Sequence, residues 1–186
     1  MIAPALLLAA ACSGDCRAQA LFQTMERRLL ARMPAQLEVV SHAEGAVQAD
    51  ATTQVSVGPA TRLHAQGTFL GKPFQKSFDQ PTTPGLRDAV LLGLTRMGLL
   101  HNVANLSQDL PPEHADGTLR DWLQVAKFRR VKGGVAFSVL LDGKDVGPVT
   151  LLIDARSKLP RKRTQVVHFP GADMNVTETY SFPAQR

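Results

Sequence analysis

Residues 121–182 read DWLQVAKFRRVKGGVAFSVLLDGKDVGPVTLLIDARSKLPRKRTQVVHFPGADMNVTETYSF, and the pattern in them decides the fold. Five apolar segments follow one another: Trp122–Arg130, Val135–Leu141, Val146–Asp154, Arg161–Phe169 and Met174–Phe182. Each alternates apolar and polar residues over part of its length, the mark of a strand buried on one face. Between them stand Lys132-Gly133-Gly134, Asp142-Gly143-Lys144-Asp145, Arg156-Ser157-Lys158-Leu159-Pro160 and Pro170-Gly171-Ala172-Asp173. These are rich in the residues that turns require. The stretch predicts an antiparallel meander, and the rest of the chain must extend this sheet or cover its apolar face.

The last hairpin allows a register to be written. With Pro170 to Asp173 as the turn, Phe169 faces Met174, Val167 faces Val176, Gln165 faces Glu178 and Arg163 faces Tyr180. Residues two apart share a side, so these eight side chains lie on one face, apolar toward the tip and polar at the far end. Glu178 stands in line with Met174, Val176, Tyr180 and Phe182. Buried there, its carboxylate needs a partner, which Gln165 or the diagonal Arg163 can supply.

Upstream, Leu37–His42, Ala46–Val57, Thr61–Leu70 and Pro73–Phe78 read as four more strands, with Gly71-Lys72 as a tight turn. From Cys16 to Met33 the period becomes helical. Leu21, Met25, Leu29 and Met33 recur every four residues, Ala18 and Phe22 widen the stripe, and Glu26, Arg27, Arg28 and Arg32 occupy other faces. Pro34 stops this helix. After a linker, Pro81–Pro84, a second helix runs from Gly85 to about Asn102. Leu86, Val90, Leu94, Met97 and His101 descend one side, and Leu91 and Leu99 make it apolar most of the way round, which implies burial on more than one side. Arg87, Asp88, Arg96 and His101 interrupt it, so it is not a membrane span. Asn105–Gly117 reads as a loop into the meander.

With 186 residues, 44% of them hydrophobic, the chain has the material for one domain with a real core. The net charge of +5 comes from scattered arginines, and no dense basic block interleaves with aromatics apart from Arg156 to Arg163 near a turn. A nucleic-acid site would show a clustered stripe, so no nucleic-acid partner is expected.

Ile2 to Ala11 is apolar apart from Pro4, too short to span a bilayer but the length of a signal-peptide core. Leu8-Ala9-Ala10-Ala11-Cys12 resembles the lipobox of bacterial lipoproteins, which implies lipidation at Cys12. Residues 1–15 are then a signal peptide and tether, and 16–186 a single domain. A disulfide from Cys12 to Cys16 would close so small a loop that it adds little, and two thiols without nearby histidines make a weak metal site.

The meander carries a broader resemblance. Trp122-Leu123-Gln124-Val125, Val135-Ala136-Phe137-Ser138-Val139 and Val149-Thr150-Leu151-Leu152-Ile153-Asp154 are followed by Lys158-Leu159-Pro160-Arg161-Lys162-Arg163, then by Phe169-Pro170-Gly171 and Met174 to Tyr180. An apolar strand ending in Asp, a turn closed by Leu-Pro and a basic strand start resemble the LolA/LolB-like superfamily of periplasmic lipoprotein carriers and receptors. The resemblance implies an α+β fold: a strongly curved antiparallel sheet, an incomplete β-barrel, with helices covering its open concave side. It also implies a periplasmic protein, anchored to the inner or outer membrane if Cys12 is lipidated. Its partners would be a hydrophobic ligand (an acyl chain or lipid) or a lipidated protein.

No catalytic constellation is visible. His42, His64, His101, His114 and His168 are dispersed with no HExxH, and there is no Gly-x-Ser-x-Gly elbow or phosphate loop. Asp142, Asp145 and Asp154 lie at turns, where Asp bonds local backbone. The nearest acid–base candidate, Glu178 with His168, falls on opposite faces of one hairpin. No enzyme activity, metal or cofactor is therefore expected. The leading expectation is a binding protein whose cavity is lined by Leu94, Met97, Leu100, Trp122, Phe137 and Met174. The alternative is an envelope protein-interaction or sensory domain using the same fold without a lipid.

Overall fold

The computed structural model describes residues 12–32, 35–99 and 123–183. Within them the elements are α1 (Cys16–Ala31), β1 (Ala35–Gly45), β2 (Ala49–Val57), β3 (Ala60–Phe69), β4 (Lys72–Pro81), α2 (Pro84–Arg96), β5 (Leu123–Val131), β6 (Gly134–Leu141), β7 (Lys144–Ile153), β8 (Pro160–Phe169) and β9 (Ala172–Ser181). The expected features at residues 1–11, at Met33 and Pro34, and at 100–122 lie outside the described residues.

The strands form one antiparallel, nine-stranded sheet in the order β4-β3-β2-β1-β9-β8-β7-β6-β5. Every neighbour but one is a hairpin. The exception is β1–β9, which joins the two meanders along Glu38↔Ser181 to Gly45↔Met174. The curved sheet does not close: β4 and β5 are its two edges. It is an α+β fold with both helices on the face that carries the core, α1 against β5, β6 and α2, and α2 against β5.

Alternation is the reason for this arrangement. In β1, Ala35, Leu37, Val39, Ser41 and Ala43 are buried while Gln36, Val40 and His42 are exposed, and β2 repeats the pattern. Period two puts all of one set on the inner face. The outer face is polar and self-paired: Arg62 with Asp79, His64 with Ser77, His42 with Asp50 and His168 with Asp173. Asp50 bonding raises the exposed His42 imidazole above its ordinary value.

The helices follow their caps. Asp15 accepts from the backbone N–H of Arg17 and Ala18 to open α1, and Thr83 accepts from Leu86 N with Pro84 in the first turn of α2. Ala18, Phe22, Met25 and Leu29 are buried, and Phe22 packs on Phe137 and Phe128 at ring distances of 4.8 and 5.4 Å. In α2, every residue from Val90 to Arg96 is buried, as expected of a helix apolar nearly all round.

Three features differ from the sequence reading. Glu26 is buried rather than on an outer face, because Arg96 reaches it from α2 with Nε–Oε1 2.7 Å and Nη2–Oε2 3.0 Å, while Arg96 Nη1 donates to Leu123 O. The second helix ends at Arg96 rather than near Asn102. Gly98 takes φ +93°, and Met97 and Gly98 both donate to Gly93 O, a helix stop built on glycine. The turn after β3 is Leu70-Gly71 rather than Gly71-Lys72, with φ of 50° and 75°. Positive φ at both positions is the I′ hairpin pattern, which favours Asn or Gly, so Leu70 is held in a conformation unfavourable for leucine.

The edges are treated differently. Gly14 pairs with Phe128 on β5, Asp15 N donates to Phe128 O, and Phe128 N donates to Ser13 O. Beside this pairing β5 is bulged between Ala126 and Arg129, so a short segment covers an irregular edge. Cys12 and Cys16 are joined by a disulfide across that segment. On β4, Pro73 and Pro81 share the alternation that points backbone donors away from β3, so neither leaves an unpaired N–H on the edge.

Two outcomes check this account. Glu26→Ala or Arg96→Ala should each lower the unfolding free energy by about 3–5 kcal/mol in urea titration, while Glu26→Leu combined with Arg96→Met should lose far less. A single substitution with no measurable cost would mean that the pair is solvated. Leu70→Asn should raise stability by about 1 kcal/mol by relieving the backbone strain; an unchanged urea midpoint would mean that Leu70 is not strained.

Candidate functional site

The last hairpin places the site, with a correction. Its turn is Pro170-Gly171, two residues instead of four, so the register is Phe169↔Ala172, Val167↔Met174, Gln165↔Val176 and Arg163↔Glu178. Gly171 at φ +92° after a proline suits a type II turn, which is why the loop is shorter than its composition suggests. The slip is an even number of residues, so the inner face keeps the expected set. Arg163 becomes the direct partner of Glu178 rather than the diagonal one.

These side chains line a cavity of about 330 Å³ on the core-bearing face. Phe169, Val167, Gln165 and Arg163 descend along β8, with Met174, Val176 and Glu178 beside them on β9. Leu141, Val146, Val47 and Phe69 complete the wall, and Met97, just past α2, closes the inner end. The apolar lining therefore runs from the hairpin tips inward and ends on a polar floor. At the tip end, Phe69, Leu70 and Phe169 are 45, 59 and 43% exposed. Leu70 N bonds Gln48 O, and Ala46 N bonds Asp173 O, so the β1–β2, β3–β4 and β8–β9 connections stand together around this mouth.

The floor is a buried polar network. Arg163 and Glu178 are 1 and 0% exposed and approach at 3.8 Å, Nη1 to Oε2. Arg163 Nη2 donates to Arg96 O at 3.0 Å and to Gln165 Oε1. Glu178 Oε1 accepts from Leu99 N at 2.6 Å. The Tyr180 hydroxyl lies 2.9 Å from Glu178 Oε2 and 3.1 Å from Leu94 O. A Cβ added to Gly98 would sit 2.6 Å from Arg163 Nη1 and 3.0 and 3.1 Å from the Glu178 oxygens, so the chain leaving α2 passes directly over the pair. The network thus ties the end of α2 to β8 and β9. Burial and the adjacent Glu178 push the Tyr180 phenol well above the usual tyrosine range.

Of the residues expected to line the cavity, Met97 and Met174 do so. Leu94 is fully buried in the core, and Phe137 is taken up by its packing on Phe22 and Phe128, so neither faces the cavity. Leu100 and Trp122 lie outside the described residues, as do His101 and His114. Arg163, Gln165, Val167 and Phe169 were legible in the hairpin alternation but not assigned to a cavity. Val47, in the β1–β2 connection, and Phe69, at the end of β3, are distant in the chain from β8 and β9, so nothing local marks them as lining the same cavity. Among the described residues no group of three His, Cys, Asp or Glu side chains could hold a metal ion, and no helix is long and apolar enough to cross a membrane.

No protein family and no curated protein matches the chain. Among solved structures it is similar to MucB in complex with MucA(peri), at 13% identity over 91% of this chain and 57% of that one, with a TM-score of 0.31. The chain spans little more than half of that protein's length, and so loose a likeness carries no functional weight.

Tyr180 is the chain's one tyrosine, so alkaline absorbance titration reads it alone. An unfolded phenol ionises near pH 10. The folded phenol ionises later, so the stability that burial leaves intact below about pH 10 is lost as pH rises beyond it. Phenolate should appear together with the loss of tertiary structure; smooth ionisation near pH 10 in a folded chain would place Tyr180 in solvent.

Proposed function

We propose that this domain is a binding module of the bacterial periplasm that holds a hydrophobic ligand between its curved sheet and helices. The observation that carries the reading is the 330 Å³ cavity, apolar along its walls and open at a mouth that displays Phe69 and Phe169. Ligand sites are concave, mostly apolar, and carry a few placed polar groups. Met97 and Met174 suit irregular apolar guests because the unbranched thioether side chain adapts its shape. The disulfide between Cys12 and Cys16 agrees with an oxidising compartment, as does the apolar run before it.

A second reading rests on the mouth itself. The exposed Phe69, Leu70 and Phe169 form an apolar cluster at one end of the sheet, such as a protein-interaction domain of the envelope would present. Met174→Trp separates the two. The larger side chain should fill the cavity and weaken binding of an apolar fluorescent dye at least about tenfold with the far-ultraviolet circular dichroism unchanged. Dye binding that survives Met174→Trp but is lost on Phe69→Ser with Leu70→Ser would move the site to the tips.

Membrane anchoring through Cys12 requires its sulfur to be free of Cys16, since one sulfur cannot hold both a disulfide and a lipid thioether. Intact-mass measurement of envelope-purified protein decides it. A diacylglyceryl increment on a chain starting at Cys12 supports the anchor. A mass two hydrogens short of the reduced chain, with no increment, removes it.

A further inference from the structure

The excess positive charge of this chain gathers at one end of the sheet. Arg129, Arg130 and Lys132 stand at the β5–β6 hairpin, which closes at Val131↔Gly134. Arg156, Lys158, Arg161 and Lys162 stand in and just beyond the β7–β8 connection. The two connections touch: Gly134 pairs with Leu152, and Ile153 N donates to Gly133 O at 2.9 Å. All of these side chains except the half-buried Lys158 are exposed.

Nothing nearby balances them. Among the described residues, none of the seven forms an ion pair. Asp154 is the only carboxylate in residues 129–141 and 146–172. It is occupied within its own turn, accepting from the backbone N–H of Ser157 and Arg156 and from the Ser157 hydroxyl. Seven cations against this one carboxylate leave +6 at this end, whereas the whole chain carries +5, so the remainder is at −1. Crowded like charges repel one another in the free protein, and an anionic partner relieves that repulsion.

We propose that this end of the sheet docks the domain on the anionic headgroups of a lipid bilayer, held by charge without insertion. Chemistry chooses a lipid surface over other polyanions. No aromatic side chain stands among the seven cations, so the stacking platforms of a single-strand nucleic-acid site are missing. A protein interface concentrates its binding energy in apolar or aromatic anchors. Here Leu159 and Pro160 are buried and Val131 half-buried, so the connections offer no such anchor. Headgroups ask only for charge, and each Lys or Arg near an anionic surface strengthens binding about fivefold. Strand direction sets the orientation. β7 runs ten residues from Lys144, at the end where Leu141 and Val146 line the cavity, to Ile153 at the basic end. That is about 30 Å at the rise of a strand, so the docked domain turns its Phe69–Phe169 end away from the bilayer. The docking itself does not depend on the cavity holding a ligand.

The test is co-sedimentation of the full chain with phosphatidylcholine vesicles, with and without about one third phosphatidylglycerol. At about 0.1 M salt the anionic vesicles should bind the chain at least about tenfold more strongly than the neutral ones, and the preference should vanish near 0.5 M. Lys132→Gln, Arg156→Gln, Arg161→Gln and Lys162→Gln together should weaken that binding at least about fiftyfold, with the far-ultraviolet circular dichroism unchanged. Lys72→Gln with Lys144→Gln, at the opposite end and beyond the screening length, should change it less than about twofold. Arg156→Lys with Arg161→Lys keeps the charge and should bind as the parent does; a loss there means that guanidinium shape is read, and overturns the proposal. No binding to the anionic vesicles overturns it as well. So does equal binding to neutral vesicles, or binding that survives both salt and the fourfold change, since either places the contact on an apolar surface. Tighter binding to polyglutamate than to the anionic vesicles makes the partner an acidic protein segment and likewise overturns it.

Discussion

The fold depends on one buried ion pair. Arg163 and Glu178 face each other across β8 and β9 with almost no exposure. A charge in such a place is tolerable only if it is paired and hydrogen-bonded. Here the remaining bonds come from the backbone where the chain leaves α2: Arg96 O accepts from Arg163, and Leu99 N donates to Glu178. The cost of burying charge therefore fixes where α2 ends relative to the sheet. Gly98 completes the arrangement, because any side chain there would occupy the space of the guanidinium and the carboxylate.

A second buried pair acts at the other side of the same helix end. Arg96 sends its side chain to Glu26 of α1 and to Leu123 O of β5, while its own carbonyl serves Arg163. One residue thus connects both helices and both halves of the C-terminal meander. Apolar packing alone would let α2 slide, since its buried surface is apolar nearly all round and offers no unique orientation. Directional charged bonds remove that freedom, a specifying role that buried polar groups serve in some proteins. The cavity follows from this placement. With α2 held at its C-terminal end, Met97 caps a space whose walls are the inner residues of β8 and β9.

Alternation made much of this legible before any coordinates. The inner set of the last hairpin was readable because strands have period two, and an error of two residues in register left it intact. Glu178 was identifiable as a buried carboxylate needing a partner, and Arg163 as a residue able to reach it. Local chemistry is ambiguous where several turn residues stand together. Pro170 to Asp173 looks like a four-residue loop, yet Pro170-Gly171 alone completes the turn. Helical period carried α2 through Gly98, although a glycine just past an apolar helix is a stop signal. Glu26 stands off the apolar stripe of α1 in the helical pattern, and its buried partner lies 70 residues away, beyond the reach of any local signal.

Among the described residues, the sequence by itself determined the nine strands, the two helices and their order, because those follow from periodicity, turn residues and caps acting over a few positions. Only the tertiary structure decided which polar residues become buried partners, which apolar residues line space rather than fill it, and where the mouth opens. Leu94, Phe137, Met97 and Met174 look alike as sequence, yet the first two are consumed by the core and the last two face the cavity. The physical reason is that packing is a property of neighbours. Val47, Phe69 and Phe169 meet only because the β1–β9 pairing brings two distant meanders into one sheet, and no local pattern encodes that contact.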